Sequence, residues 1–326
     1  MTTRATGCVD RLPFVAIVVI CLLQIACAAT TPSAAEPTPL RILLTNDDGY
    51  DSPGIKTVHE ALVAAGHDVT RVAPLSNQSG SGLRVTTQGT LDYKEQSTGV
   101  WSVDGSPADS VLVGVLQVMK DDPPDIVISG ANFGPNLGYA GSSGTVGAAT
   151  MAMYVGLPAI AISVGVDPAE QSAEPIPFPS TFRAFAGAAE FILKVIRDLQ
   201  QARVDNGNLI PKNAILNVNY PPADPEEIQG FRVLQATWDA GVRIAYEETG
   251  EAEQLKIQLQ LMEPGAPRGD DVDWQWFARG YITISVLDGN SDAGASLRDA
   301  VARRLSKSGI VMKGTAVTAT LTGPGP

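Results

Sequence analysis

Arg41–Thr45 (RILLT) is a short apolar run without polar alternation, and it stops abruptly at Asn46-Asp47-Asp48-Gly49. A strand of that kind has both faces covered, as in a parallel sheet flanked by helices. The signature returns along the chain. Val69–Ala73 closes on Pro74, Val100–Val103 on an acidic turn and Asp125–Ser129 (DIVIS) on a Gly-rich loop, while Ala159–Val164 and Ile215–Val218 follow. Between these runs lie segments of helical spacing. Ile55, Val58, Leu62 and Val63 lead to the cap Gly66, and Ser106, Pro107 and Asp109 open Ala108–Met119 as cap, first-turn proline and capping-box acid. Further helices are expected at about Thr145–Val155 and at Phe182–Leu199. Strands alternating with helices predict an α/β fold with a parallel core sheet and helices on both faces, its site lying outside the carboxyl ends of the strands.

From Phe231 to Met262 the period changes to strand-like runs (FRVLQATW, VRIAYEE, LKIQLQLM), broken at Asp239-Ala240-Gly241 and Thr249-Gly250-Glu251. These read as a β-hairpin extension, and a projecting arm with unpaired edges is suited to contact another subunit. Tyr281–Leu287 reads as a strand and Ala293–Leu305 as a helix. The expected organisation is a leader over 1–27, a Pro-rich tether over 28–39, the main domain over 40–290 with its arm at about 231–262, and a C-terminal helix and tail over 291–326.

Arg4 and Arg11 precede the uncharged stretch Leu12–Ala29, which ends in small residues, so the chain is expected to be exported, to the periplasm or as an outer-membrane or cell-surface lipoprotein. Cleavage at a small-x-small site such as Ala26-Cys27-Ala28 is the first reading. Lipidation of Cys27, with Gln24 where an apolar residue is preferred, is the second, and an uncleaved anchor the third. A membrane partner follows only from the last two. Cys8, Cys21 and Cys27 are the only cysteines, which excludes a disulfide framework and a thiol nucleophile in the rest of the chain. With 35 Asp+Glu against 23 Lys+Arg, the formal charge of -12 repels polyanions, so no nucleic-acid polymer is expected as a partner. Small anions held through a metal remain compatible with it.

Three loops following strand ends combine glycine with oxygen-bearing side chains: Asn46–Gly49, Asn77–Gly82 and Ser129–Thr145 (SGANFGPNLGYAGSSGT), the last carrying Asn132, Asn136 and the step Ser143-Gly144-Thr145 into a helix. The first alone would serve as a tight turn and the second as a surface loop. The third is too long and too rich in Gly and Asn for a simple connector, and a helix start approached by Gly and Ser presents free N–H groups to a phosphate. Contiguous carboxylates at a sheet mouth repel each other unless a cation sits between them or one is protonated. Two Asp, a hydroxyl and an amide carbonyl are hard donors suited to Mg²⁺ or Mn²⁺, whereas zinc would want His or Cys. The two histidines, His59 and His67, read as packed and cap-adjacent. No G-x-G-x-x-G opens a helix, no lysine follows a Gly-rich loop, G-x-S-x-G is absent, and the two Asp are contiguous where an aspartyl-nucleophile phosphatase separates them by one residue.

RILLTNDDGYDSPGI (Arg41–Ile55), VAPLSNQSGSG (Val72–Gly82), GSPADSV (Gly105–Val111), VISGANFGPNLG (Val127–Gly138), SGTVGAA (Ser143–Ala149), LNVNYP (Leu216–Pro221), and DVD followed by GYITIS (Asp271–Ser285) occur in this order. In these blocks the chain resembles the SurE family of metal-dependent acid phosphatases. The resemblance implies a three-layer Rossmann-like sandwich with a hairpin extension, one divalent cation per subunit (Mn²⁺ or Mg²⁺), and a homodimer or homotetramer acting on nucleoside monophosphates, 5′ first and 3′ as an extension, and on related small phosphate esters. By motif, the metal ligands would be Asp47, Asp48, Ser79 and Asn132, with Asp47 and Asp48 catalytic. Asn46, Ser79, Asn132, Asn136, Ser143, Gly144 and Thr145 would bind substrate. The sequence departs from the family at Gln78, Met151, Trp276 and Val286, and between Gly138 and Ser143. A second reading is an exported nucleotide- or phosphate-binding protein without turnover.

Overall fold

The computed structural model describes residues 1–3, 38–138, 140–237, 242–251, 253–261, 271–289 and 295–306. The leader, the lipidation site Cys27 and most of the tether lie outside the described residues, as does the tail beyond 306. β1 (Arg41–Thr45) is an inner strand, fourth from one edge of a nine-stranded sheet. Around it are β2 (Asp68–Pro74), β3 (Tyr93–Ser97), β4 (Val100–Val103), β5 (Ile126–Phe133), β6 (Ala159–Val164), β7 (Ile215–Tyr220), β8 (Phe231–Leu234) and a returning strand, Ile282–Leu287. The order is β3-β4-β2-β1-β5-β6-β7-returning strand-β8. β4, β2, β1, β5, β6 and β7 are parallel; β3 and the returning strand run antiparallel to β4 and β7. The expected parallel core is present, with antiparallel pairings towards both edges.

Helix α1 (Pro53–Ala64) and helix Pro179–Asn206 cover one face, where Ile42, Leu44, Ile128 and Ile162 pack against Ile55, Leu62, Ile192 and Ile196. Helix α2 (Pro107–Val113) and helix α3 (Gly144–Tyr154) cover the other, where Leu43, Val127 and Ala161 meet Val111, Val146 and Ala149. Burial of β1 on both faces explains its run of apolar residues, and Ile42, Leu43 and Leu44 are fully buried. The helix Pro179–Asn206 becomes α4 in chain order, Asp273–Phe277 is the short helix α5, and Ala295–Ser306 is α6.

Several expectations need correction. β5 does not stop at Ser129. After an irregularity in register at Gly130-Ala131 it pairs again with β6, Asn132 opposite Ser163 and Phe133 opposite Val164. Only glycine fits at 130, where a Cβ would fall 2.1 Å from the carbonyl of Ile162. The helix expected over Ala108–Met119 is α-helical to Val113 and continues as a single wider turn, Gly114–Val118, where Gly114 lets Leu43 approach. Its capping box is formed as expected: Ser106 Oγ accepts from Asp109 N–H and the Asp109 carboxylate accepts from Ser106 N–H. β3 is missing from the sequence reading because YKEQS is exposed throughout and carries no apolar period. FRVL does not belong to the arm; β8 joins the main sheet, parallel to the returning strand, numbered β11. The arm is β9 (Val242–Glu248) with β10 (Leu255–Leu261), an antiparallel pair outside that sheet.

Candidate active site

The NDDG turn leaves β1 at its carboxyl end and is fixed from within. Asn46 is fully buried; its amide donates to the Gly49 carbonyl (2.9 Å) and Ser52 Oγ (2.8 Å), while its oxygen accepts from Gly49 N–H. Asn46 is therefore spent on the turn. Gly49 has φ of +111°, a conformation open to glycine. The turn delivers Asp47 and Asp48 to two different neighbours. Asp47 is buried, and its Oδ1 accepts from Thr145 Oγ (2.6 Å) at the start of α3. Asp48 Oδ2 accepts from the N–H of Phe133 (2.9 Å), the residue after Asn132. The β5 irregularity thus places Asn132 beside the carboxylate pair. Asn132 donates its amide to the Gly134 carbonyl (2.7 Å), leaving its side-chain oxygen as an acceptor or ligand.

The second loop is tied to the same turn. Gln78 N–H donates to the Asp47 carbonyl (2.7 Å), and Asn77 amide reaches Asp48 Oδ1 (3.4 Å). Ser79, next in the chain, is exposed on the rim. Gly82 N–H donates to Ser142 O (3.0 Å), binding this loop to the segment entering α3. Arg84 donates to Gln78 Oε1 (2.7 Å), so a guanidinium is held over the loop next to Gln78.

α3 begins with Ser143 as its cap, its Oγ accepting from Val146 N–H (3.1 Å). A Cβ added to Gly144 would lie 2.7 Å from Asp47 Cβ and 2.9 Å from Asp47 Oδ2. The first backbone of α3 therefore rests on the carboxylate. Asn136 points elsewhere in its bonding: its N–H donates to Asn219 Oδ1 (2.7 Å), its amide to Ser163 Oγ (2.7 Å), and its carbonyl accepts from Asn217 (2.9 Å). Asn136 latches the long loop to β6 and β7 and offers little to a ligand.

Burial pushes the Asp47 carboxyl above its ordinary range, against the bonds from Thr145. Burial pushes Asp48 up to about 6, opposed by the Phe133 N–H and reinforced by the charge of Asp47. Among the described residues neither carboxylate has an ion pair, and no three of His, Cys, Asp and Glu cluster as metal ligands. Two adjacent carboxylates without an ion pair, with Asn132 one residue from the N–H that holds Asp48, form a hard-oxygen set that fits a divalent cation of the Mg²⁺ or Mn²⁺ kind. The histidines take no part: His67 Nδ1 accepts from Leu40 N–H (3.1 Å), and His59 is half-buried on α1. Met151, a departure in sequence, is buried in the α2/α3 core.

Fold and site together define an α/β protein whose strand ends hold an acidic, cation-ready turn against a glycine-opened helix start suited to an oxyanion. Residues 42–240 match the family model described as Survival protein SurE. A 5′-nucleotidase SurE 1 of Burkholderia lata is 35% identical over 258 residues, covering 77% of this chain and 92% of that protein. A 5′-nucleotidase SurE of Rhizorhabdus wittichii is 35% identical over 250 residues, covering 76% and 93%. The crystal structure of SurE protein from Aquifex aeolicus superposes with a TM-score of 0.65 at 30% identity, covering 82% of this chain and 99% of its own. The chain belongs to the SurE family.

Proposed function

We propose that the protein is a divalent-metal-dependent phosphomonoesterase that hydrolyses nucleoside monophosphates, 5′ esters first, and related small phosphate esters with Mn²⁺ or Mg²⁺. The observation that carries this reading is the direct contact between the carboxylate turn and the α3 start: Thr145 Oγ donates to Asp47, and Gly144 lies against it. Relatives named as 5′-nucleotidases support the substrate class. Asp47, Asp48 and Asn132 would hold the cation, with Ser79 joining from the rim. When bound, the cation supplies Lewis acidity toward a phosphoryl oxygen and an attacking water. The N–H groups of Gly144 and Thr145 bond the Asp47 carboxylate and so fix it against the start of α3, where the phosphoryl group would be received. Thr145 and the Phe133 N–H hold the two carboxylates in place throughout.

Phosphate release from a panel of nucleotides, simple esters and polyphosphate, with and without Mn²⁺ or Mg²⁺, tests the reading. Turnover of monophosphates is expected with either ion and loss of nearly all activity after chelation, restored by adding the ion back. Binding of a monophosphate without release of phosphate would instead establish a binding protein. The leader supports an exported enzyme acting on esters outside the cytoplasm.

The same proposal includes self-association through the arm. On β9 and β10 the side chains of Ile244, Tyr246, Leu255 and Ile257 are 57–67% exposed, with Ile257 directly opposite Tyr246. Their even spacing places these four apolar groups on one face, and a lone two-stranded ribbon is marginal in water. A second copy is its occupant, giving a homodimer or homotetramer. Light scattering after size exclusion is expected to show that Tyr246→Asp with Ile257→Asp lowers the mass to that of a smaller assembly. A wild-type monomer would refute this.

A further inference from the structure

We propose that Arg71, with His59 and Lys94 beside it, forms an anion site apart from the carboxylate turn, taking a small tetrahedral oxyanion of the phosphate or sulfate kind. Arg71 is a charged residue in the middle of β2, yet only 8% exposed. Among the described residues its side chain has neither an ion pair nor a hydrogen bond. Its Nε is shut away from solvent while the two Nη atoms are not, so the outer edge of the guanidinium meets an opening. A guanidinium taken out of water without a counter-charge is costly, and buried charges are ordinarily paired. The acids nearby do not supply the pair. Asp51 is held by Lys56 (2.7 Å), and Glu60 is exposed on α1. Burial lowers the Arg71 pKa, and the opposing pull of Asp51, Tyr50 and Glu60 does not restore it.

Register fixes where the guanidinium stands. Val69 and Ala73, two residues to either side of Arg71, belong to the core beneath α1, so Arg71 faces α1 while α3 covers the opposite face of the sheet. On α1, His59 Nδ1 is a second buried atom without a partner. Burial lowers the pKa of that imidazole first and the charge of Arg71 next, which puts the two side chains close together. Ala73 pairs with Ser102 of β4 and Ser102 with Lys94 of β3, so Lys94 stands on the same face, two strand spacings or about 10 Å from β2. Lys94 is exposed and has no ion pair among the described residues. Two cations and an unpartnered imidazole thus share one patch of a chain whose net charge is -12. The Nη edge of a guanidinium can bond two oxygens in parallel. A carboxylate would be used up there, whereas a tetrahedral oxyanion keeps further oxygens for His59 and Lys94.

The test uses the full chain with a chelator present, which keeps cations from the carboxylate turn, and sulfate as the probe. Calorimetry is expected to show one sulfate bound per subunit, with affinity at least tenfold weaker in Arg71→Met. Without sulfate, Arg71→Met is expected to melt no lower than wild type, because the substitution removes a buried unpaired charge. Added sulfate stabilises folded proteins in general, so the informative quantity is the difference: wild type is expected to gain more degrees than Arg71→Met at the same concentration. Equal affinity and equal gain in the two proteins, or no sulfate bound by wild type, would overturn the site. So would a sulfate-free Glu60→Gln that melts several degrees below wild type, which would show that Glu60 is the counter-charge of Arg71. Should Arg71→Met not fold, Arg71→Lys carries the comparison, since it keeps the charge and loses the two-nitrogen edge; sulfate affinity within about twofold of wild type would then overturn the assignment. None of these measurements depends on phosphate-ester turnover, so the outcome stands or falls apart from the phosphomonoesterase reading.

Discussion

Asp47→Asn is expected to reduce turnover of a nucleoside monophosphate by roughly three orders of magnitude, about 4 kcal/mol of transition-state stabilisation, with the fold retained. The amide can still accept from Thr145 Oγ through its oxygen, so the start of α3 keeps its contact. What disappears is the charge on which the proposed cation depends. Steady-state kinetics with saturating Mn²⁺ checks this, and near wild-type turnover would end the metal role of Asp47. The neighbouring carboxylate gives the change a stability counterpart. Asp48 is raised from 3.8 to about 6, so the folded state binds more protons than the unfolded chain between those values. Its contribution to stability is therefore complete below pH 3.8 and lost as pH rises through about 6. The chelated protein is expected to be destabilised by on the order of 2 kcal/mol at pH 7.5 relative to Asp48→Asn, read as a lower melting temperature, with the difference vanishing at low pH. The same variant is expected to lose activity, which separates a site paid for in stability from a merely structural acid.

Gly144→Ala is the second change with a large expected effect. Alanine at the first helical position is favoured by intrinsic propensity, so an isolated helix would gain. Here the new methyl would meet Asp47 Cβ and Ser81 Oγ at 2.7 Å each and Asp47 Oδ2 at 2.9 Å. The carboxylate must move, and a displacement near 1 Å at a reacting centre costs on the order of a hundredfold in rate. Kinetics and thermal melting on the same sample check it: kcat/KM is expected to fall by about that factor while the melting temperature changes little. Unchanged kinetics would show that Asp47 does not need its place against α3.

The alternation of β1, α1 and β2 was readable because a strand covered on both faces and an amphipathic helix leave different periods in the sequence. NDDG alone is what a tight turn requires, and the carboxylate turn was readable as a site only together with the two other Gly-rich loops and the ordered family blocks. Readings failed where the signal was not periodic. β3 has no apolar face, so nothing in YKEQS marks it. β5 hides its last residues behind Gly130-Ala131, and only pairing with Ser163 and Val164 of β6 shows Asn132 and Phe133 to be strand. Asn46 and Asn136 carry the residue types of ligands, yet their hydrogen-bonding groups are largely committed to the turn and to Asn217, Asn219 and Ser163.

By itself the sequence determined the layered α/β plan, the family and the hard-oxygen character of the site, because these depend on residue type and short spacing. Tertiary structure alone decided which of those oxygens face a common point. Asp47 and Thr145 are 98 residues apart and Asp48 and Phe133 are 85 apart, and it is the parallel order of β2, β1 and β5 that brings their loops to one end of the sheet. Contacts so distant in the chain leave no local pattern to read, since they are set by which strands pair and by how closely glycine lets two backbones approach.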